Sequence, residues 1–323
     1  MLEKYLKSFT TLRTAKNKKG WSASTCHQAP HKPFLLLSIM DLIAQGQITE
    51  NFIEPSFELV DIWNGYWNAI MPVGQQSTMA HPFPRLRSDG FWERICNPGF
   101  DADADYKVTS MVKLREIYTG ARMDDELFQF MQIQDSREKL RAALVNTYFP
   151  PEIQPRVIEQ GFVNLASYEY SQTLLKQEVA EQATLFGETD EPAKKKKIRD
   201  AGFRKAIVSL YEHRCALCGI RMLTPEGHTV VEAAHIVPWF ESQDDKPTNG
   251  LCLCRICHWS FDEGLMSVGK QYEVLVSKCV QSDRNIPGHI QTLMDRPIFK
   301  PEQKMYWPGQ ENLEWHQKIK FAK

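Results

Sequence analysis

Two cysteine pairs, Cys215-Ala-Leu-Cys218 and Cys254-Arg-Ile-Cys257, frame the segment that decides the fold of this chain. The stretch between the pairs is long enough for two strands and a loop. Four thiolates with this spacing close a tetrahedron around Zn²⁺ and leave no coordination position open for catalysis. The alternative is four unrelated buried thiols, which does not account for the repeated spacing. We therefore predict a structural zinc site at these four cysteines.

The remaining cysteines lack this spacing. Cys252 lies two residues before Cys254 and is not expected to bind the ion. Cys26, Cys96 and Cys279 have no neighbouring cysteine at a ligand spacing, and we predict that they are small buried hydrophobic residues.

A strand pattern between the cysteine pairs ends in a histidine. The β-branched residues of 230–238 predict a strand with His235 at its exposed end. Asn249-Gly250 is a turn signal, and 258–262 is expected to be helical. In a helix, His258 and Asp262 stand four residues apart and face the same way. An imidazole and a carboxylate so placed can hold one divalent ion, and His235 would face the same space.

The order His235, Asn249, His258 resembles the HNH nuclease signature, a fold of two antiparallel strands and a helix around one metal ion. The stretches Glu-Ala-Ala-His-Ile, Asn-Gly-Leu and Cys-His-Trp-x-Phe-Asp are similar to its zinc-bearing bacterial branch. The resemblance implies that His235 is the general base and that His258 and Asp262 hold Mg²⁺ or Mn²⁺. It also implies that Asn249 bonds across the loop to orient His235.

This chain departs from the family at the residue before the base histidine. Many members place an Asp or His metal ligand there, whereas this chain has Ala234. Glu232 or water would then complete the metal shell, although Glu232 is equally explained as a charged residue on the solvent side of a strand. Asp262 has an alternative explanation as a helix cap.

Composition places this nuclease-like segment within a larger soluble protein. The chain has 323 residues, 42% hydrophobic and 24% charged, which is enough for about two domains that each bury a core. We find neither an apolar run of membrane-spanning length nor a leader pattern, so no membrane association is expected. Reduced thiols that bind zinc favour the cytoplasm. We predict an α+β fold class.

The distribution of charge and polarity predicts the domain boundaries. The net charge is −1, but residues 194–323 carry 20 Lys and Arg against 15 Asp and Glu, which suits a polyanionic substrate. Residues 176–200 are polar and predicted to be a linker, helical at first and flexible after Gly187. The linker would join a recognition domain, 1–175, to a nuclease domain, 201–323. Its run 194–197 either contacts phosphates or merely keeps the linker solvated.

A buried helix is predicted near the N-terminus. Pro30-His31-Lys32-Pro33 precedes the apolar run 34–43, and Gly46 follows it. His31 and Lys32 would then project at the helix N-terminus, where an anion is favoured. Three aromatic residues with helical spacing are predicted to form a core face: Trp63, Tyr66 and Trp67.

A second N-terminal stretch, 81–92, is predicted as a loop, a strand and an Asp-Gly turn, with Arg85 and Arg87 on one face. With the His-Lys-Pro motif, Pro-Phe-x-Arg-Leu-x-x-Asp-Gly-x-Trp resembles the sulfur-binding domain of restriction enzymes that recognise phosphorothioate-modified DNA. That family commonly has Tyr where this chain has His81. The resemblance implies these DNA-binding residues: His31, Lys32, His81, Pro82 and Arg85.

Together the resemblances imply a modification-dependent, type IV-like restriction endonuclease. An N-terminal reader would select double-stranded DNA, and a C-terminal HNH domain would cut it, with dimerisation on DNA as a further hypothesis. Other hypotheses remain open: an HNH nuclease that reads another mark such as modified cytosine, a homing endonuclease, or a non-catalytic zinc-stabilised DNA-binding regulator.

Overall fold

The computed structural model describes residues 2–176, 191–282 and 288–322, which form two compact units. The first contains Met1–Leu165 and Pro225–His228, and the second contains Ala166–Thr224 and Thr229–Lys323. Residues 166–175, which the sequence assigned to the recognition domain, thus belong to the second unit. Residues 177–190 of the expected linker lie outside the described residues. From Pro192 the chain is helical, so the flexible conformation expected after Gly187 does not extend to Asp200.

The first unit mixes helices with a two-stranded sheet, as the α+β prediction requires. Its helices and strands in chain order are α1 Leu2–Thr10, α2 His31–Ala44, α3 Phe57–Ile70, α4 Pro82–Arg85, β1 Trp92–Cys96, α5 Met111–Ile117, β2 Tyr118–Met123, α6 Asp125–Gln132, α7 Gln134–Tyr148 and α8 Gln154–Lys176, of which α8 continues into the second unit. Strands β1 and β2 are antiparallel.

Helix α2 forms the centre of the first core. Its apolar run 34–43 is buried along its whole length, and Gly46 follows the helix with φ of +69°, a conformation that glycine adopts without strain. Trp63, Tyr66 and Trp67 on α3 are buried, which confirms the predicted core face. These contacts bring the N-terminus of α2, with His31 and Lys32, beside α3 and α4.

The strand predicted around Arg85 and Arg87 is wrong. Residues 82–85 form the short helix α4, a 3-10 helix covers Leu86–Asp89, and strand β1 starts only at Trp92. Proline fixes φ near −65° and lacks an N–H group, which suits a first helical turn and opposes a strand interior. Phe83 and Leu86, three residues apart, are both fully buried, so helical spacing anchors this segment.

The second unit contains the predicted two strands and helix. After the end of α8, its elements are α9 Pro192–Leu210, β3 Val231–His235, α10 Trp239–Ser242, β4 Gly250–Cys254, α11 Arg255–Asp262, β5 Met266–Val268, β6 Val274–Val276, α12 Lys278–Ser282, α13 Gly288–Gln291 and α14 Gln310–Ile319. Strands β3 and β4 are antiparallel, with His235 opposite Gly250, and α11 follows β4 directly.

Helix α9 packs closely against strands β3 and β4. A side chain at Gly250 would place its Cβ 2.3 Å from Cδ1 of Ile207 and 3.1 Å from Cζ of Phe203. Glycine is therefore needed there for close packing, opposite the strand end that carries His235.

The cysteines outside the zinc pattern have different environments. Cys252 is buried in β4, whereas Cys26 and Cys96 are half-buried. Cys279 is exposed on α12, so its predicted burial is wrong: this short helix places it on the surface. No helix within residues 2–176, 191–282 and 288–322 is long and apolar enough to cross a membrane.

Candidate functional site

The four predicted cysteine ligands converge. Their sulfur atoms all lie within 4.8 Å of one another, and Sγ of Cys218 is 3.7 Å from Sγ of Cys254. A tetrahedral Zn²⁺ with Zn–S bonds of 2.3 Å separates its sulfur ligands by about 3.8 Å. The donor set therefore fits zinc in both chemistry and size. Within the described part of the chain, no other group of three or more potential ligands is this close.

The cysteine cluster joins two distant chain segments. Cys215 and Cys218 lie in a turn that Gly219 closes with φ of +77°, its N–H donating to the Cys215 carbonyl. Cys254 ends β4, and Cys257 lies in the first turn of α11. A bound ion would hold this turn to the strand–helix junction.

His235 ends β3, and its ring is held on two sides. Nε2 lies 2.7 Å from Oδ1 of Asp245, and the ring stacks on Phe203 with centroids 3.9 Å apart. An ionised carboxylate only accepts hydrogen bonds, so in a neutral ring this contact requires the proton on Nε2 and leaves the lone pair on Nδ1. The His235 side chain is 19% exposed, which leaves it accessible to a small reactant.

Asn249 is fully buried and bonds across the loop between β3 and β4. Its Oδ1 accepts from the Val237 N–H at 2.9 Å, and its Nδ2 donates to the carbonyls of Val237 at 3.0 Å and Asp244 at 2.9 Å. One amide side chain thus ties together the two ends of the loop that begins just after His235.

His258 and Asp262 lie on one face of α11, at the predicted spacing. Nε2 of His258 is 3.5 Å from Oδ2 of Asp262, and Nδ1 is 3.6 Å from Oε2 of Glu232. Two ligands about 2.1 Å from one octahedral ion are about 3 Å apart when adjacent, so the His258–Asp262 pair fits with a small adjustment. Glu232 also lies 3.5 Å from Nε of Arg255. Its carboxylate therefore contacts both Arg255 and Nδ1 of His258.

A cavity of about 320 Å³ joins the strand and helix residues. Its lining consists of His235, Ile236, Pro238, Trp239, Phe261, Asp262, His316 and Lys320. His316 is buried between Ser267 and the Phe261 carbonyl, and burial lowers its pKa to about 4, so it is neutral near pH 7. His235 and Asp262, which come from different elements, thus line the same cavity, whereas His258 is not part of its lining.

The predicted DNA-binding residues of the first unit also line one cavity, of about 240 Å³. Its lining consists of Arg13, Thr14, Ala15, Trp21, Ala29, His31, Lys32, His81, Pro82 and Arg85. The His31 ring lies edge-on to Trp21 with centroids 5.2 Å apart, and its Nε2 is 2.7 Å from Oγ of Ser77. Arg85 is exposed at this cavity, whereas Pro82 is buried.

Burial changes the charge of this first-unit cavity. Burial lowers the pKa of His31 to about 4, and repulsion from the positive charges of His81 and Arg85 also lowers it. Lys32 donates to Asp89 at 2.6 Å, with side chains only 8% and 3% exposed. His31 is therefore neutral near pH 7 and the charge of Lys32 is already paired, so the exposed cations at this cavity are Arg13 and Arg85.

Comparison with known proteins identifies the segment that the two cysteine pairs enclose. Residues 215–269 match the HNH endonuclease family model. This HNH domain contains the four cysteines, His235, Asn249, His258 and Asp262.

Among solved structures, the chain is similar to "Modification dependent TagI restriction endonuclease", with 21% identity and a TM-score of 0.28 over 42% of each chain. The match thus spans less than half of that protein's length. No curated protein sequence matches this chain.

Sequence reasoning missed several residues that contact the predicted ones. Asp245 and Phe203 hold the HNH-domain histidine His235, and Trp21 and Arg13 line the first-unit cavity. Asp244-Asp245 follows His235 in a loop, but its spacing does not show which carboxylate turns back to the ring. The other three are brought in by tertiary packing and carry no local signal.

Removal of zinc is expected to unfold the HNH domain. Cys257→Ser should lose the bound zinc and the cooperative unfolding transition of the second unit, because structural zinc sites contribute about 10–16 kcal/mol of binding energy to folding. Metal content by mass spectrometry and calorimetric melting check this. Cys279→Ser, at an exposed cysteine, is the matched control and should match wild type. Full zinc content in Cys257→Ser would contradict the assignment.

The neutral state of His31 predicts a pH-dependent stability. The unfolded chain takes up a proton on His31 below about pH 6.5, whereas the folded chain does so only near pH 4, so stability is lost as the pH falls between these values. The advantage of wild type over His31→Gln should shrink by up to about 3 kcal/mol across this range in urea unfolding. His289→Gln, at an exposed histidine, is the control. A constant advantage would show that His31 titrates normally.

Proposed function

We propose that this protein is a modification-dependent, type IV-like restriction endonuclease that hydrolyses phosphodiester bonds of double-stranded DNA. The observation that carries the proposal is the HNH-matched segment in which His235 and Asp262 line one cavity while His258 lies beside Asp262. Phosphodiester hydrolysis by a metal-dependent nuclease needs a general base and groups that bind the metal ion, and these three residues can supply them.

In the proposed reaction, Nδ1 of His235 takes a proton from water as the water oxygen bonds to phosphorus. The bond from phosphorus to the 3′ oxygen breaks, and that oxygen takes a proton from solvent, which leaves 5′-phosphate and 3′-hydroxyl ends. Asn249 holds the loop so that the histidine keeps its direction. His258 and Asp262 would hold Mg²⁺ or Mn²⁺, which offsets negative charge on the phosphate and on the leaving oxygen. Glu232 would orient the His258 ring from its other nitrogen.

For the first unit, we propose recognition of phosphorothioate-modified DNA by the cavity that His31, His81 and Pro82 line. A sulfur atom in place of a non-bridging oxygen is larger and less well hydrated, so neutral rings and a proline accept it with little desolvation cost. Arg85, exposed at the same cavity, would hold the negative charge. Lys32, paired with Asp89, would act by fixing the helix N-terminus rather than by contacting phosphate. Because two strands must be cut, we include dimerisation on DNA in the proposal.

The nuclease assignment predicts that His235→Ala lowers the cleavage rate of a susceptible duplex by about 10²–10⁴-fold with Mg²⁺ or Mn²⁺, since a general base contributes this much. His289→Ala removes an exposed histidine from the same unit and should leave the rate unchanged. Unchanged cleavage by His235→Ala would remove the base assignment. If wild type binds DNA tightly and cuts no duplex, the non-catalytic regulator replaces the nuclease.

The reader assignment predicts binding and cutting of a phosphorothioate duplex in preference to matched unmodified and cytosine-modified duplexes. Arg85→Ala should weaken that binding by about 10–100-fold, the value of a charge-assisted contact. Arg87→Ala is the matched control, because Arg87 pairs with Asp103 at 2.6 Å and does not line the cavity. Fluorescence anisotropy measures the affinities. Selective binding of the cytosine-modified duplex would keep the nuclease and replace the mark.

A further inference from the structure

The carboxylate of Asp245 lies in the loop between β3 and β4 and contacts the His235 ring directly. Its Oδ1 is 2.7 Å from Nε2, and its side chain is only 2% exposed. We propose that Asp245 is a positioning residue that fixes the tautomer and the orientation of His235 for proton abstraction. This inference rests on the proposed role of His235 as the general base.

The hydrogen bond decides which nitrogen of His235 can act. With Nε2 donating to the carboxylate, Nδ1 keeps the lone pair that accepts the proton of the attacking water. After transfer both ring nitrogens carry protons and the ring is positive. The adjacent negative charge stabilises that state more strongly at a buried contact than in water. Asp245 itself takes up no proton, since the proton rests on Nδ1.

Two perpendicular restraints leave the His235 ring one orientation. Phe203 stacks on the ring face with an interplanar angle of 9°, which fixes the plane of the imidazole. Stacking alone permits a half-turn about the Cβ–Cγ bond, which keeps the ring plane but exchanges the position of each nitrogen with that of a ring carbon. The bond to Asp245 in the ring plane removes that freedom, so the two contacts together specify both plane and direction.

Asp245 is in turn held by its own neighbours. The hydroxyl of Tyr170 donates to Oδ2 at 2.7 Å, and Nη1 of Arg199 lies 3.5 Å from Oδ1. Burial, together with the Asp245 carboxylate, raises the pKa of Tyr170, so its hydroxyl stays protonated and remains a donor. Asn249 fixes the backbone through the preceding carbonyl, that of Asp244. The carboxylate therefore has a defined position before substrate arrives.

The first test is cleavage by Asp245→Asn, which keeps the size of the side chain and removes its charge. We expect a fall in kcat of about 10²–10⁴-fold with little change in KM, because the loss affects proton transfer and leaves DNA binding intact. Tyr170→Phe should give a smaller loss in kcat. Asp295→Asn, at an exposed aspartate of the same unit, is the matched control, and its kcat should not change.

A double variant separates this inference from the assignment of the base. If Asp245 acts through His235, adding Asp245→Asn to His235→Ala should cause no further loss. A further loss of the same size as in wild type, or wild-type kcat in the single variant, would overturn the inference. Cleavage by His235→Ala at the wild-type rate would instead overturn the proposed base.

A spectroscopic measurement decides the positioning role without any activity. Nitrogen-15 NMR of the His235 ring should show the proton on Nε2 in wild type and a mixture of tautomers in Asp245→Asn, with the melting temperature and zinc content retained. The same single tautomer in both proteins would overturn the inference even if Asp245→Asn lost activity.

Discussion

Four thiolates that converge within 4.8 Å impose the constraint on which the HNH domain depends. Within the part of the chain that the structure describes, β3 and β4 form a two-stranded sheet, and such a sheet in isolation is marginally stable at best in water. Helix α9 covers the strands, but the junction between β4 and α11 also needs an anchor. The cysteine cluster provides it, because one pair lies in a preceding turn and the other pair spans the junction itself. A bound Zn²⁺ would add to the buried apolar cluster of this unit, which includes Val231, Leu251 and Phe261.

The cysteine cluster also sets the positions of the residues proposed to bind the catalytic metal, His258 and Asp262. His258 directly follows the ligand Cys257, so the rotation of α11 that suits the metal cluster also sets the direction of His258 and, one turn later, of Asp262. Across the sheet, the pairing of His235 with Gly250 sets the position of His235 relative to that helix. A shift of one residue in this pairing would turn His235 to the opposite face of the sheet. The cysteine cluster, the strand register and the residues proposed for catalysis therefore form one connected arrangement.

The parts that the sequence predicts are those with local spacing. The cysteine pairs, the helix of His258 and Asp262, and the buried helix α2 each follow from residues a few positions apart. Asp245 and Phe203 were not predictable as contacts of His235, nor Tyr170 as a contact of Asp245, because folding of a loop or a helix that no periodicity reports brings each of them in. The error at 81–92 has another cause: alternation around Arg85 and Arg87 suggested a strand, but two prolines and the burial of Phe83 and Leu86 favour helical turns.

The two cavities use charge in opposite ways. Around His235, a buried carboxylate lies next to the ring that would become positive in the proposed reaction, so its charge would act on the reaction itself. In the first unit, burial keeps His31 neutral and Asp89 pairs with Lys32, which leaves the exposed Arg13 and Arg85 beside neutral rings and a proline. An ordinary phosphate and a phosphorothioate carry the same charge, so Arg85 would add affinity for both and distinguish neither. Discrimination between them would have to come from the neutral surface, where size and hydration differ.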